Sequence, residues 1–156
     1  RGSCVTRHKE NAILTRASPA LRYGYAPQGH IIAATAIGDV YYWGKGVMID
    51  GPRSMAAYKI AAEAGDAVSQ HQVGYMYYMG PGVAVDYKQA RAWLEKAAAQ
   101  DYPDAVGQLG AMYGNGLGVT LSWRRARELY QRAIELGDSE TVKNMQRLTA
   151  NIQNVS

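Results

Sequence analysis

Apolar and small residues recur along the chain with a period of 36 residues. Five columns carry the same residue in three successive copies, without a gap: Gly38, Gly74 and Gly110; Tyr41, Tyr77 and Tyr113; Gly44, Gly80 and Gly116; Gly46, Gly82 and Gly118; Val47, Val83 and Val119. Two later columns are Tyr58, Leu94 and Tyr130, then Ala61, Ala97 and Ala133. Because a fixed period of about 20–50 residues is typical of repeat arrays, this pattern predicts three copies of one structural unit.

Each unit is predicted to be a pair of helices. In the second copy, residues 67–79 place apolar side chains at helical spacing, and the glycine–proline–glycine stretch at 80–82 ends that helix. Asp86 then has the side chain of an N-cap for a second helix over 87–100. The equivalent cap positions are Asp50 and Ser122. These features predict an all-α protein.

One glycine column falls inside the first helix of every unit, at Gly38, Gly74 and Gly110. A glycine within a helix costs about 1 kcal/mol relative to alanine. Three such costs in one column predict a close approach of a neighbouring helix that a Cβ would block. The alanine column of the second helices supplies similarly small contacts.

The three copies resemble a known family. The stretches "VGYMYYMGPGV", "LGAMYGNGLGV" and, more loosely, "IGDVYYWGKGV" are similar to the Sel-1-like repeat. The resemblance implies an α/α superhelix (a right-handed solenoid) of about three 36-residue helix–turn–helix units, related to tetratricopeptide arrays and used as a scaffold or adaptor for other proteins. A cysteine-rich secreted branch of that family has a disulfide in each helix pair, whereas this chain has only Cys4.

The predicted organisation has four parts. Residues 1–17 form a basic, flexible leader, residues 18–29 a degenerate partial repeat, residues 30–137 the three repeats, and residues 138–156 a C-terminal capping helix. An incomplete repeat at 18–29 would leave an end through which the chain could self-associate.

The net charge of +4 does not indicate nucleic-acid binding. Residues 1–30 hold five basic residues and one acid, whereas residues 31–156 hold twelve of each. The surplus is therefore in the leader and not on a folded face. The longest apolar run is too short to cross a bilayer, which argues against membrane insertion. A single cysteine means that the fold does not need an oxidising compartment, and the sequence indicates no location.

No residue pattern indicates catalysis, a cofactor or a metal. The glycine-rich loops follow a helix and not a strand, so they are interpreted as turns and not phosphate cradles. His8, His30 and His71 are scattered, without the i, i+4 spacing of a helical metal site. Acids at Asp66 and Asp138 suit helix ends. The sequence lacks a nucleophile elbow. We expect no enzyme.

The basic stretch "WRRARELYQR", residues 123–132, leaves two interpretations open. Arg124, Arg127 and Lys143 could meet an acidic partner. Alternatively, the stretch is a solvated helix face in which Glu128 pairs with Arg132 at i, i+4.

Positions that vary between units are candidates for binding specificity, because the repeated columns are needed for the fold. One face of the first helices, expected to be concave, has Thr35, Asp39 and Tyr42, then His71, Tyr75 and Tyr78, then Gly107, Ala111 and Gly114, and on the capping helix Lys143, Arg147 and Ala150. The predicted protein-binding residues are Asp39, Tyr42, His71, Tyr75, Tyr78, Lys143 and Arg147. The alternative is that the tyrosines pack between neighbouring helices.

The sequence therefore predicts an interaction scaffold or adaptor whose concave face binds a protein or peptide. A second hypothesis is a dedicated regulatory or inhibitory subunit that holds one enzyme or receptor through the same surface. An enzyme or small-molecule carrier is a third, without residue evidence.

Overall fold

The computed structural model describes residues 28–153, and every regular element in that range is an α-helix. Its seven helices are α1 (Gln28–Trp43), α2 (Gly51–Glu63), α3 (Ala67–Met79), α4 (Tyr87–Ala98), α5 (Pro103–Asn115), α6 (Trp123–Glu135) and α7 (Thr141–Gln153). The predicted leader at 1–17, and the partial repeat at 18–29 except its last two residues, lie outside the described residues.

The helices form three successive pairs and a cap. Within each unit α1 packs on α2, α3 on α4, and α5 on α6, and each second helix also packs on the first helix of the next unit. The last helix, α7, contacts both α6 and α5. The predicted α/α solenoid with a capping helix is therefore confirmed, and the first helix of the second unit has the predicted bounds of 67–79.

Each second helix begins at the polar cap predicted from its column. The side chains of Asp50, Asp86 and Ser122 accept a hydrogen bond from the backbone N–H three residues further on, at 3.0, 3.0 and 3.3 Å. The first helix of the second unit ends at Gly80, whose left-handed backbone (φ 71°) lets its N–H reach the carbonyl of Met76. The glycine-rich loops are turns, as predicted.

The glycine column inside the first helices packs against the second helix of the same unit. A Cβ added to any of these glycines would lie within 2.8 Å of a large side chain. The distance from the added Cβ is 2.6 Å to Tyr58 at Gly38, 2.8 Å to Leu94 at Gly74, and 2.6 Å to Tyr130 at Gly110. The alanine column beside these large residues is fully buried. Two repeated columns therefore fit each other, which confirms the predicted packing role.

The core continues from unit to unit. Tyr58, Met76, Leu94 and Met112 are fully buried and belong to clusters that each combine residues of neighbouring helix pairs. Burying one such side chain stabilises the fold by about 1.5–3 kcal/mol. Because every unit shares its core with the next, packing determines how the first helices of neighbouring units are placed relative to each other.

The predicted Glu128–Arg132 pair is wrong. Glu128 pairs with Arg124 at 3.2 Å and Arg125 at 3.1 Å, so the two preceding arginines on the same helix hold its carboxylate. Arg132 instead reaches the preceding unit and donates to the Asp101 carboxylate at 2.6 Å, near the end of α4. The basic stretch is otherwise a solvated helix face, and exposed pairs of this kind contribute little stability.

Candidate protein-binding face

The first helices of the units and α7 present one continuous row of side chains. Side-chain contacts join α1 to α3, α3 to α5, and α5 to α7. We call this surface the A-helix face; its variable positions are Thr35, Asp39, Tyr42, His71, Tyr75, Tyr78, Gly107, Ala111, Gly114, Lys143, Arg147 and Ala150. It divides into two parts with different chemistry.

The first part, which we call the paired half, comprises Thr35, Asp39, Tyr42, His71 and Tyr75. The Thr35 hydroxyl lies 2.9 Å from the hydroxyl of Ser69, which joins α1 to α3. The side chains of Tyr42 and Tyr75 also approach each other across the same boundary, where Tyr75 contributes to the raised pKa of the Tyr42 phenol. These contacts lie between repeats, so the side chains help to hold the first two units together.

Asp39 is engaged within its own unit. The Tyr58 hydroxyl donates to Asp39 Oδ1 at 2.5 Å, and Tyr58 is fully buried. Burial raises the pKa of Tyr58, and the hydrogen bond to the Asp39 carboxylate raises it further. Burial likewise raises the pKa of Tyr42, with a smaller contribution from Tyr75. Both phenols therefore stay protonated at physiological pH and remain hydrogen-bond donors.

His71 occupies the boundary between the second and third units. Its Nε2 lies 3.1 Å from Gln108 Oε1 on α5, and its ring centroid lies 5.2 Å from that of Tyr102 and 6.3 Å from that of Tyr75. Burial lowers the pKa of His71, against opposing effects of the Asp104 charge and the Gln108 hydrogen bond. The neutral ring is therefore favoured, and its Nδ1 is buried without a hydrogen-bond partner among the described residues.

The second part of the A-helix face is a groove between α5 and α7. Its lining residues are Tyr78, Ala111, Gly114, Asn115, Tyr130, Asn144, Arg147 and Leu148. The groove has a volume of about 210 Å³. Sites for drug-sized ligands are usually about 300–1,000 Å³, so this groove is of a size to take a side chain of a larger partner.

The groove is open because the third unit lacks the side chains that fill the same columns in the second. Ala111 occupies the column of Tyr75, and Gly114 the column of Tyr78. An added Cβ at Gly114 would meet its nearest neighbours at 3.5 Å or more, which is ordinary van der Waals contact. Unlike Gly110 four residues earlier, Gly114 is not required by close packing. The floor of the groove is therefore made of two small residues, Ala111 and Gly114, and at Gly114 the packing would leave room for a larger side chain.

Four of the five polar side chains that line the groove lack a partner among the described residues; the fifth, Asn115, donates from its amide to the Ala111 carbonyl at 2.8 Å. The side chains of Tyr78, Tyr130, Asn144 and Arg147 form no hydrogen bond or ion pair within residues 28–153. Burial raises the pKa of both Tyr78 and Tyr130, so their hydroxyls stay protonated. The positive charge of Arg147 acts on Tyr130 in the opposite direction, which places the guanidinium close to that phenol.

The residues predicted from sequence therefore separate in space. Asp39, Tyr42, His71 and Tyr75 lie in the paired half, and Tyr78 and Arg147 line the groove. Lys143 is exposed one turn before Arg147, and its Nζ pairs with the Glu140 carboxylate at 3.1 Å.

Sequence reasoning missed three polar residues of the groove, which are Asn115, Tyr130 and Asn144. Tyr130 belongs to a repeated column and was therefore not among the candidates for binding, yet its hydroxyl end lines the groove while its ring packs against Gly110. Asn144 precedes Arg147 by three residues, and this helical spacing was a signal that it shares the same face.

The described residues were also considered as a possible metal site and as possible membrane-spanning helices. Within residues 28–153, His, Cys, Asp and Glu side chains do not gather in groups of three or more that could hold a metal ion. None of the described helices is long and apolar enough to cross a membrane.

The repeat itself identifies the family. Three consecutive matches to the Sel1 repeat cover residues 31–66, 67–102 and 103–138, which is 108 of the 156 residues. The chain belongs to the Sel1 repeat family. Sel1 repeat proteins are generally protein-interaction scaffolds and typically not enzymes.

Solved structures of Sel1 repeat proteins match most of this chain. A Sel1 repeat protein from Oxalobacter formigenes is 32% identical, with a TM-score of 0.70, over 88% of this chain and 58% of that one. A protective antigen present in uropathogenic Escherichia coli strains, which displays an SLR fold, is 35% identical, with a TM-score of 0.69, over 73% of this chain and 24% of that one. This Sel1 repeat chain thus spans between a quarter and three fifths of those two proteins.

A more distant structure shares the fold alone. Cysteine rich protein B of Helicobacter pylori has a TM-score of 0.60 at 17% identity, over 83% of this chain and 95% of that one. No curated protein matches the sequence. The assignment to Sel1 repeat proteins therefore rests on the repeat columns and on the structural neighbours.

Proposed function

We propose that this protein is an interaction scaffold that binds a segment of another protein on its A-helix face, with the groove between α5 and α7 as the principal contact. The observation that carries the proposal is the difference in hydrogen bonding. Thr35, Asp39 and His71 of the paired half bond to neighbouring helices, whereas four polar side chains of the groove have no hydrogen-bond or ion-pair partner in the described range. Such groups are free to bond to a ligand.

The chemistry of the groove supports binding and not catalysis. Its described lining offers one guanidinium, two amides and two phenols, without a carboxylate or an imidazole for general acid–base work. Tyrosine and arginine are also the residues most often found at the energetic centre of protein interfaces. A row of first helices that continues on both sides of the groove suits an extended segment or a helix of the partner.

A substitution that fills the groove tests the proposal. Ala111→Tyr restores the side chain that the second unit has in this column, so the helix geometry accommodates it. Ala92→Tyr, at an exposed position of α4, is the matched control. Wild type and both variants would be panned against a displayed library of random dodecapeptides, and their thermal unfolding compared.

We expect peptides enriched on the wild type to bind Ala92→Tyr equally and to lose about tenfold or more in affinity for Ala111→Tyr, with the melting temperature of each variant close to that of the wild type. Equal binding by both variants would refute the groove as the site. A library that yields no enriched peptide on the wild type would refute a peptide-binding face altogether.

A further inference from the structure

We infer that the groove selects an acidic side chain of the bound segment, with Arg147 as its counter-ion and a small apolar side chain next to it on the floor of the groove. This inference rests on the proposed function and specifies its partner: an extended peptide segment that carries an internal aspartate or glutamate.

The charge balance around the groove favours an acid. Arg147 has no ion pair with any described residue, and the other lining side chains are uncharged at neutral pH. Glu140, the acid nearest to Arg147 in sequence, lies just before α7 and pairs with Lys143 at 3.1 Å. An arginine with both of its donor edges unused can form two parallel hydrogen bonds to one carboxylate, the geometry in which the guanidinium group binds most strongly.

The other unpartnered groups can complete the same site. The hydroxyls of Tyr78 and Tyr130 and the amide of Asn144 line the same groove as Arg147. A protonated phenol and a carboxamide both donate hydrogen bonds, and a carboxylate accepts up to about four. A basic side chain from the partner would meet the guanidinium instead, and like charges at an interface are repelled.

The apolar floor of the groove indicates which side chain lies next to the acid in the bound segment. Ala111, Gly114 and Leu148 present an apolar surface directly beside the polar groups. The groove is too small for a large aromatic residue together with a carboxylate, so we expect alanine, valine or leucine one or two positions from the acid.

An internal side chain fits better than the end of a chain. The A-helix face continues from the groove past Tyr78 to Tyr75 and Tyr42, so a segment that crosses Arg147 has further surface on which to lie. We therefore commit to an aspartate or glutamate within the segment. Binding through a free C-terminal carboxylate is an outcome that the experiment distinguishes.

The test compares two arginines that differ in position. Arg147 lines the groove, whereas Arg127 is exposed on α6; neither forms an ion pair within residues 28–153. Arg147→Gln removes one positive charge from the groove, and Arg127→Gln removes one from the exposed face of α6. Affinity would be measured for a library-selected dodecapeptide with a free or an amidated C-terminus, and for the same peptide with each acid replaced in turn by its amide.

We expect one internal acid to be essential. Replacing it by the amide should weaken binding to the wild type about tenfold, and Arg147→Gln should weaken binding of the parent peptide by the same factor. The two changes together should cost little more than either alone, while Arg127→Gln changes affinity by less than twofold. Amidation of the C-terminus should have no effect.

Three outcomes would overturn the inference. Selected peptides without an acid, equal losses for Arg147→Gln and Arg127→Gln, or loss on C-terminal amidation would each exclude recognition of an internal acid by Arg147. In all three cases the proposed function stands if Ala111→Tyr still weakens binding by about tenfold or more. If Ala111→Tyr binds as well as the wild type, the proposed function itself fails.

Discussion

The paired half and the groove occupy equivalent columns of the same repeat, yet their side chains behave differently. Between α1 and α3, the side chains of Tyr42 and Tyr75 fill the space at the boundary, and the Thr35 hydroxyl bonds to that of Ser69. Between α5 and α7, the same columns hold Ala111 and Gly114 on one side, and four polar side chains around them have no hydrogen-bond or ion-pair partner among residues 28–153. The repeat columns set the positions of the helices, while the variable columns decide whether the space between them is filled or left open.

The difference also separates two kinds of glycine on one helix. Gly110 belongs to a repeated column and touches the ring of Tyr130, whereas Gly114 belongs to a variable column and has room for a methyl group. A glycine in a repeat protein can therefore be needed for packing or can simply leave a space. Four predictions test this division, from the largest effect to the smallest.

The same substitution at the two glycines should have opposite effects. In Gly110→Ala, the new methyl group would lie 2.6 Å from the Tyr130 ring, and this overpacking outweighs the gain in helix propensity. We expect a loss of about 1–2 kcal/mol in the free energy of unfolding. Gly114→Ala keeps the gain in propensity and should be neutral or up to about 1 kcal/mol more stable. Chemical denaturation measures both, and an equal loss in the two variants would contradict the division.

Removing a side chain of the paired half should cost stability but not binding. Tyr75→Ala removes a half-buried ring that lies beside Tyr42 at the boundary between α1 and α3. We expect about 1–2 kcal/mol lower stability, less than for a fully buried aromatic residue. Affinity for a groove-selected peptide should stay within twofold of the wild type. A large loss of affinity would show that the ligand also contacts the paired half.

His71 should make stability depend on pH. Burial holds its pKa in the folded protein below the value of about 6.5 in the unfolded chain. Below pH 6.5 the unfolded chain therefore binds more protons, so this contribution to stability is full above pH 6.5 and is lost as pH falls towards the lowered value. We expect the melting temperature to drop by a few degrees between pH 7.5 and 5. His71→Gln, which can still bond to Gln108, should show a flatter profile, and identical profiles would contradict the assignment.

The smallest effects on stability are expected at the exposed charges of α7. Lys143→Ala loses only an exposed pair with Glu140, and Arg147→Ala loses no ion pair to a described residue. Each should change the free energy of unfolding by less than about 0.5 kcal/mol. Thermal unfolding measures this, and a loss above 1 kcal/mol for Arg147→Ala would indicate that the arginine is structural and not available to a ligand.

The helices and their packing were predictable because they follow from the repeated columns. The caps at Asp50, Asp86 and Ser122 depend on hydrogen bonds within four residues, which a sequence pattern contains directly. The close approach at Gly110 could be inferred because a costly residue recurs at a fixed period. Structural features that depend on neighbouring residues or recur at a fixed period can therefore be predicted from a single sequence.

The division of the A-helix face could not be predicted in the same way. Whether Tyr42 reaches Tyr75 depends on the angle between successive units, which a 36-residue period does not specify. Arg132 was misassigned for a related reason, since its partner Asp101 belongs to the preceding unit. Tyr130 contributes to both the core and the groove, and its repeated column gave no sign that its hydroxyl end lines a groove.

The most direct test of the account is to map a bound peptide on the protein by NMR. Backbone amide shifts of ¹⁵N-labelled wild type would be followed during titration with the library-selected dodecapeptide. The account predicts that the largest changes fall on Ala111, Gly114, Asn144 and Arg147, and that amides of Asp39 and Tyr42 change little. Changes centred on Asp39 and Tyr42, with the α5–α7 groove unaffected, would contradict it.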